Sequence, residues 1–203
     1  MLVGQSREPS GPAGPPAPRA GPATTLAELD EPTLVVRAQE GDASAFEELA
    51  RRHQRTLYRL AARVLGDPVE AEDALQEALV DAWRRIGRFR TDASFGTWMY
   101  RVVTNRCTSS LRRRRAIPVD RIDDRTAAPD SPERSAELDA GLAELGRAVR
   151  ELPDEQRVCW VLRELEGLGY AEIAQITGAG QDAVRGRIHR ARVRLAEVMR
   201  PWR

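Results

Sequence analysis

Two groups of side chains in this sequence combine types and spacings suited to contact with a polyanion. The first comprises Phe89, Trp98, Arg101, Asn105 and the run Arg112, Arg113, Arg114, Arg115. Arginines on a helix reach phosphates, an aromatic side chain in an adjoining loop stacks on or walls an unstacked base, and an asparagine reads a base edge. That set suits single-stranded or locally opened nucleic acid better than intact duplex. Packing competes for the same residues: Phe89 and Trp98 also fit a core, and a basic run at a helix C-terminus suits the helix dipole. The second group, Arg185, Gly186, Arg187, His189 and Arg190, follows the turn-forming stretch Thr177-Gly178-Ala179-Gly180. The chemistry expected there is reading of base edges in a major groove, with Arg187, Arg192 and Arg194 placed to reach phosphates.

A third set is acidic. Glu70, Asp73, Glu77 and Asp81 recur at intervals of three and four residues, opposite an apolar stripe of Leu75, Leu79, Ala82 and Ile86 with Ala78 and Trp83 beside it. Like charges four residues apart repel by roughly a few tenths of a kcal/mol, a cost that a basic partner offsets. An ordinary solvated face produces the same periodicity. Catalytic chemistry has no comparable support, because no paired acid, activated nucleophile or metal-ligand set emerges. Cys107 and Cys159 are isolated, and His53 and His189 are too few for a metal site, so no metal or cofactor is expected. All 32 basic residues are arginine, which excludes a P-loop and Schiff-base chemistry, both of which need lysine.

These side chains need helices to position them. From Asp30 onward the periodicity is helical, without an alternating strand segment, and the expected class is all-α. Gly41-Asp42 and Gly66-Asp67-Pro68 pair a helix stop with a helix start, and Asp67, Pro68 and Glu70 fill the N-cap, N1 and N3 positions. Helices are predicted near 31–40, 43–65, 68–87 and 94–114, and again near 134–151, 154–166, 170–176 and 181–199. On the fourth, Phe95, Trp98, Met99, Val102 and Val103 form the inward stripe. On the last, Val184, Ile188, Ala191, Leu195 and Val198 face inward, and with the short helix Tyr170 to Ile176 it makes a helix-turn-helix. The domain expectation is a Pro/Gly-rich disordered extension over 1–29, a helical domain over 30–115, an acidic, proline-bearing flexible linker over 116–133 and a second small helical domain over 134–203.

Charge supports that division. Residues 30–115 hold 16 arginines against 13 acids, residues 116–157 hold 6 against 11, and residues 158–203 hold 8 against 5, within a net charge of +1. Two mildly basic lobes joined by an acidic strap suit two surfaces that meet one polyanion. No apolar run of about 18 residues suggests membrane insertion, and the N-terminus lacks the order of a secretory signal, so the expected location is cytoplasmic.

Taken in order, the motifs resemble the extracytoplasmic-function (ECF) sigma factors of bacterial RNA polymerase. Asp73-Ala74-Leu75-Gln76-Glu77 followed by Ala82-Trp83-Arg84 is similar to the family segment that docks on the polymerase clamp helices. Phe89-Arg90 through Phe95, Thr97-Trp98-Met99-Tyr100-Arg101 and Asn105 resemble its promoter-melting segment. Leu152-Pro153, Glu166 through Ala174 and Val184 through Arg192 resemble the segment that reads the −35 element. The resemblance implies a sigma domain 2-like bundle and a sigma domain 4-like helix-turn-helix. It also implies core polymerase docking through Asp73, Gln76, Glu77 and Asp81, and −10 DNA contacts from Phe89, Trp98, Arg101, Asn105, Arg112 and Arg113. The −35 contacts implied are from Arg185, Gly186, Arg187, His189 and Arg190, with a linker that threads the enzyme's active-site channel. Partners implied are core RNA polymerase, promoter DNA in the nucleoid and an anti-sigma factor covering the polymerase-binding faces.

Departures from the family pattern bear on specificity. Gly169 stands where a Ser or Thr commonly caps the helix, and Gly186 where a serine often contacts DNA. A different class, the one-component regulator that binds an operator without polymerase, accounts for residues 134–203 but gives no purpose to the acidic stripe, the Phe89 loop or Asn105.

Overall fold

Each early helix begins at an aspartate whose carboxylate takes up backbone N–H groups left unpaired by the first turn. In the computed structural model, which describes residues 25–90, 94–116 and 134–202, Asp30 accepts from the Thr33 N–H at 2.9 Å, Asp42 from Ala45 at 3.1 Å and Asp67 from Val69 at 2.8 Å and Glu70 at 3.2 Å. The helices they start are α1 (Glu31–Gln39), α2 (Ala43–Leu65) and α3 (Pro68–Arg85), followed by α4 (Phe95–Ala116). Gly66 closes α2 at φ 70°, and the Arg150 side chain lies over it so closely that a Cβ would collide; both facts require glycine.

The second lobe comprises α5 (Arg134–Glu151), α6 (Asp154–Trp160), α7 (Tyr170–Thr177) and α8 (Gln181–Val198). The described residues are helical without a strand, as the periodicity predicts. After Trp160 the chain makes a π-helical turn, Val161–Leu165, where continuous α-helix was expected. Residues 1–24 of the expected N-terminal extension and residues 117–133 of the expected linker lie outside the described residues. Thr25 to Leu29 differ from expectation. They form a short 3-10 turn, and Arg52 Nη2 donates to the carbonyls of Leu26, Ala27 and Leu29.

In the first lobe α2 packs on α1, α3 and α4, and α3 packs on α4. Leu34, Leu49, Leu57, Leu60, Leu65, Met99 and Val103 are fully enclosed there. In the second, α8 packs on α6 and α7 through Val184, Ile188, Ala191 and Leu195. Val198, expected inward, is exposed at the last residue of α8. The lobes also touch each other: α4 packs on α7 and α6, and one apolar cluster extends through both.

Candidate nucleic-acid interface

A helix presents residues three and four apart on one face, and α4 uses this twice. Phe95, Met99 and Val103 point into the core, while Trp98, Arg101, Asn105 and Ser109 line an open cleft of about 470 Å³ whose far wall is Asp81 and Arg85 of α3. Arg101 and Asn105 are exposed, and their side chains have no partner among the described residues. Arg106, in the same cleft, is committed: its guanidinium donates to Asp81 Oδ2 from Nε at 3.0 Å and Nη2 at 2.5 Å, and lies 3.2 Å from Glu77 Oε2.

Phe89 is placed differently from the expectation that it stacks on a base. Its ring is buried, 5.0 Å from that of Trp98 and 6.1 Å from that of Phe95. The Phe89 ring meets Phe95 edge to face, at 87°, and Trp98 at a tilt of 42°, so it stands as a wall behind Trp98. Trp98 itself is half-buried, with its outer edge in the cleft. Gln39 at the end of α1 holds the loop behind it, its Nε2 donating to the carbonyls of Ile86 at 3.2 Å and Phe89 at 2.9 Å. Sequence reasoning missed Gln39, since its partner is fifty residues away and no local pattern marks it.

The arginine run at the end of α4 is divided in use. Arg114 pairs with Glu70 at 2.6 Å and Arg115 with Asp154 at 3.1 Å, while Arg113 donates to Ser110 Oγ and Arg112 stays unpaired among the described residues. The acidic stripe is divided too. Asp73 and Gln76 are exposed and have no partner among the described residues, and Glu77 is exposed but shares Arg106. Asp81, expected to dock on a partner, has a side chain only 18% exposed and is bound to Arg106. The basic group that offsets the acid repulsion is therefore α4 of the same chain. Beside Asp73, Gln76 and Glu77 at helical spacing stand Val80 and Trp83, 49% and 36% exposed. Trp83, expected beside the core stripe, lies at its rim with its ring 5.2 Å from that of Phe46.

In the second lobe Gly178 and Gly180 bound the turn between α7 and α8. The Gly169 N–H is satisfied by Glu172 Oε2 at 2.8 Å, half of a capping box built without a side chain at the cap. Arg185, His189 and Arg190 stand outward on α8 as the spacing predicts, with Val193 on the same arc. Arg185 lies 3.3 Å from Asp182 and 5.5 Å from the Tyr170 ring centroid. Arg187 is more enclosed and pairs with Glu155 at 2.6 Å. Arg192 is held by Glu164 through Nε and Nη2, a hydrogen-bonded pairing that raises its already high pKa. A Cβ on Gly186 would sit 3.3 Å from Arg190 Nη1, so the glycine leaves room for that guanidinium to fold back along the helix.

Both cysteines are fully buried and unbridged; burial pushes the Cys107 thiol up to about 12 and raises that of Cys159, so neither forms a thiolate near neutrality. No cluster of three potential metal ligands and no helix long and apolar enough to cross a membrane occur among the described residues.

The Sigma-70 region 2 family matches residues 49–117, and the Sigma-70, region 4 family matches residues 142–195. The chain is 37% identical over 172 residues to the ECF RNA polymerase sigma factor SigM of Mycobacterium tuberculosis, covering 85% of this chain and 86% of that protein. It is 34% identical to the RNA polymerase sigma-H factor of Pseudomonas aeruginosa, covering 87% and 97%. Identity to the ECF RNA polymerase sigma-E factor of Escherichia coli is 33%, covering 86% and 96%. Among solved structures, CnrH in complex with the cytosolic domain of CnrY superposes with a TM-score of 0.64 at 26% identity, covering 84% of this chain and 97% of that one. RpoE of Bartonella quintana, at 22% identity and a TM-score of 0.61, shares the fold. The first-lobe match accounts for the half of the molecule that a one-component regulator leaves without purpose. With both lobes matched in order along a shared helical fold, the chain belongs to the ECF sigma factors of RNA polymerase, the initiation factors of transcription.

Proposed function

We propose that the two lobes divide promoter recognition by the residues described above. The first lobe docks on core RNA polymerase through Asp73, Gln76 and Glu77, with Val80 and Trp83 completing the surface and Asp81 acting through Arg106 to hold α3 against α4. The open cleft on α4, where Arg101 and Asn105 are unpaired beside Trp98, carries this reading. A base leaving the −10 duplex enters that cleft, the Asn105 amide meets its edge, Trp98 walls it, and Arg101, Arg112 and Arg113 take phosphates. Unstacking costs about a few kcal/mol, and a bidentate base contact returns about 1–3 kcal/mol. Binding energy therefore opens the DNA with no catalytic residue and no cofactor.

The second lobe lays α8 in the major groove of the −35 element, with Arg185, His189 and Arg190 toward base edges. Arg187 reaches phosphate and Gly186 allows close approach. Each interface is small; tethering both to one enzyme multiplies them by effective concentration. The domain boundaries that follow are 30–115 and 134–203. The chain works in the cytoplasm on the nucleoid. An anti-sigma factor that covers the polymerase-binding faces is its regulatory partner. CnrH, 26% identical, was solved bound to the cytosolic domain of CnrY, which supports a dedicated protein partner here.

Run-off transcription with purified core polymerase and a genomic promoter pool tests this function. Discrete new starts that need the chain and share upstream elements are expected; binding to DNA without polymerase and no new starts would overturn it.

A further inference from the structure

Four guanidiniums converge on one small cavity. Arg112 and Arg115 of α4 and Arg187 and Arg190 of α8 line an open space of about 280 Å³ beside Gln156 of α6. That volume stands at the lower end of small-molecule sites and suits a compact ligand. Two carboxylates on the lining answer two of the charges: Asp154 Oδ1 lies 3.1 Å from Arg115 Nη2, and Glu155 Oε2 lies 2.6 Å from Arg187 Nη2. Arg112 and Arg190 have no partner among the described residues. Four arginines against two carboxylates leave a formal charge of +2 on the lining. Arginine does not deprotonate in proteins, so the mutual repulsion persists until an anion enters.

The ligand that answers this lining carries more than one phosphate. A guanidinium presents a planar fork of N–H donors that matches phosphate oxygens, and guanidiniums reaching in from two helices meet oxygens of different phosphate groups. Phosphate alone leaves one group unanswered. Gln156 Oε1 is buried without a hydrogen-bond partner among the described residues, and a buried acceptor of that kind is costly unless a donor reaches it. Ionised phosphate oxygens only accept; a nucleobase N–H or a ribose hydroxyl supplies the donor.

We propose that this cavity binds a nucleoside diphosphate or a more highly phosphorylated nucleotide, with Arg112, Arg115, Arg187 and Arg190 on the phosphates and Gln156 on the nucleoside, and that the bound nucleotide excludes promoter DNA. The exclusion rests on the promoter-reading assignments above, in which Arg112 and Arg187 take backbone phosphates and Arg190 faces base edges. One guanidinium fork does not serve a nucleotide and a duplex at once. Free nucleotide therefore lowers promoter affinity in proportion to its concentration over its own dissociation constant.

Calorimetry of the full-length chain with GDP, ADP and inorganic pyrophosphate, in magnesium-free buffer, tests the site. GDP or ADP is expected to bind as a single equivalent, about tenfold more tightly than pyrophosphate. Arg112→Ala/Arg190→Ala should weaken nucleotide binding at least tenfold. Arg55→Ala/Arg84→Ala, which removes the same charge from exposed positions outside the cavity, should change it less than twofold. Gln156→Leu should abolish the preference for nucleotide over pyrophosphate yet keep the wild-type Tm and pyrophosphate affinity. Nucleotides no tighter than pyrophosphate, equal losses in the two double variants, or an undiminished preference in Gln156→Leu would overturn the site. At concentrations that fill the cavity, the nucleotide should also raise the apparent dissociation constant of a fluorescent −35 duplex at least fivefold, read by anisotropy. An unchanged duplex affinity would overturn the exclusion and with it the promoter role of Arg190, while the calorimetry, which contains neither DNA nor polymerase, judges the site by itself.

Discussion

Arg106 of α4 and Asp81 of α3 form a two-pronged hydrogen-bonded ion pair in the α4 cleft, tying α3 to α4. Asp81→Asn is therefore expected to cost about 1–2 kcal/mol, or roughly 3–6 °C in Tm, and to weaken polymerase binding only in proportion to that loss. Asp73→Asn and Gln76→Ala, whose side chains have no partner among the described residues, are expected to leave Tm unchanged and to reduce retention on immobilised core polymerase. Thermal melts run beside the retention assay separate the two classes.

Phe89 lies buried behind Trp98, a placement that suits a wall. Phe89→Ala opens a cavity behind Trp98 at an expected cost of about 3 kcal/mol, whereas Phe89→Leu, at about 1 kcal/mol, keeps the wall and with it most promoter opening. Equal loss of permanganate-detected melting in both variants, at matched folded fraction, would show that the aromatic face itself is used.

Acid sensitivity has an identifiable source at the N-terminal end of α2. Hydrogen bonds from Arg51 and Arg52 hold the Glu48 carboxyl at about 2, below its ordinary value of 4.5. A carboxylate depressed in the folded state adds stability that is fully present above pH 4.5 and is lost as pH falls through about 2. Glu48→Gln should flatten that part of the Tm-against-pH curve. It also frees Arg52, which carries the turn at Leu26 to Leu29, so proteolysis near Thr25 should quicken.

Gly186 spares space for Arg190 at a cost in helix propensity. Gly186→Ser is expected to stabilise the chain by about 0.5 kcal/mol, because Arg190 can swing away from the added Cβ. The displaced guanidinium should change which −35 sequences are selected from a randomised pool, while −10 selection stays as it was.

Much of the fold was legible because its signals are local. Asp30, Asp42 and Asp67 cap the helices they precede, and the apolar spacing of α8 identifies Val184, Ile188, Ala191 and Leu195 as its inner face. The same spacing misplaced Val198, the last residue of α8, because periodicity describes a face but not how far along the helix that face stays covered. Arg101 and Asn105 were legible as exposed neighbours one turn apart. The commitments of Arg106, Arg114 and Arg115 were not, since an ion pair between residues 25 to 44 positions apart is decided by how helices meet. Phe89 fitted a base or a core equally well by type, and only its burial between Phe95 and Trp98 separates the two. Glu166 reads locally as the last residue of a helix over 154–166; its bonds to Arg63 and Tyr100, 103 and 66 positions away, carry no local signal.

Rescue by pre-opened DNA tests the division of labour between the lobes most directly. Run-off transcription is measured on a promoter identified from the pool, once as full duplex and once with an unpaired −10 bubble, for the wild type, Arg101→Ala/Asn105→Ala and Arg187→Ala/Arg190→Ala. The account predicts that the bubble restores the first variant to within a few-fold of the wild type and leaves the second as deficient as on duplex. Rescue of the second and not the first, or of both alike, would contradict it.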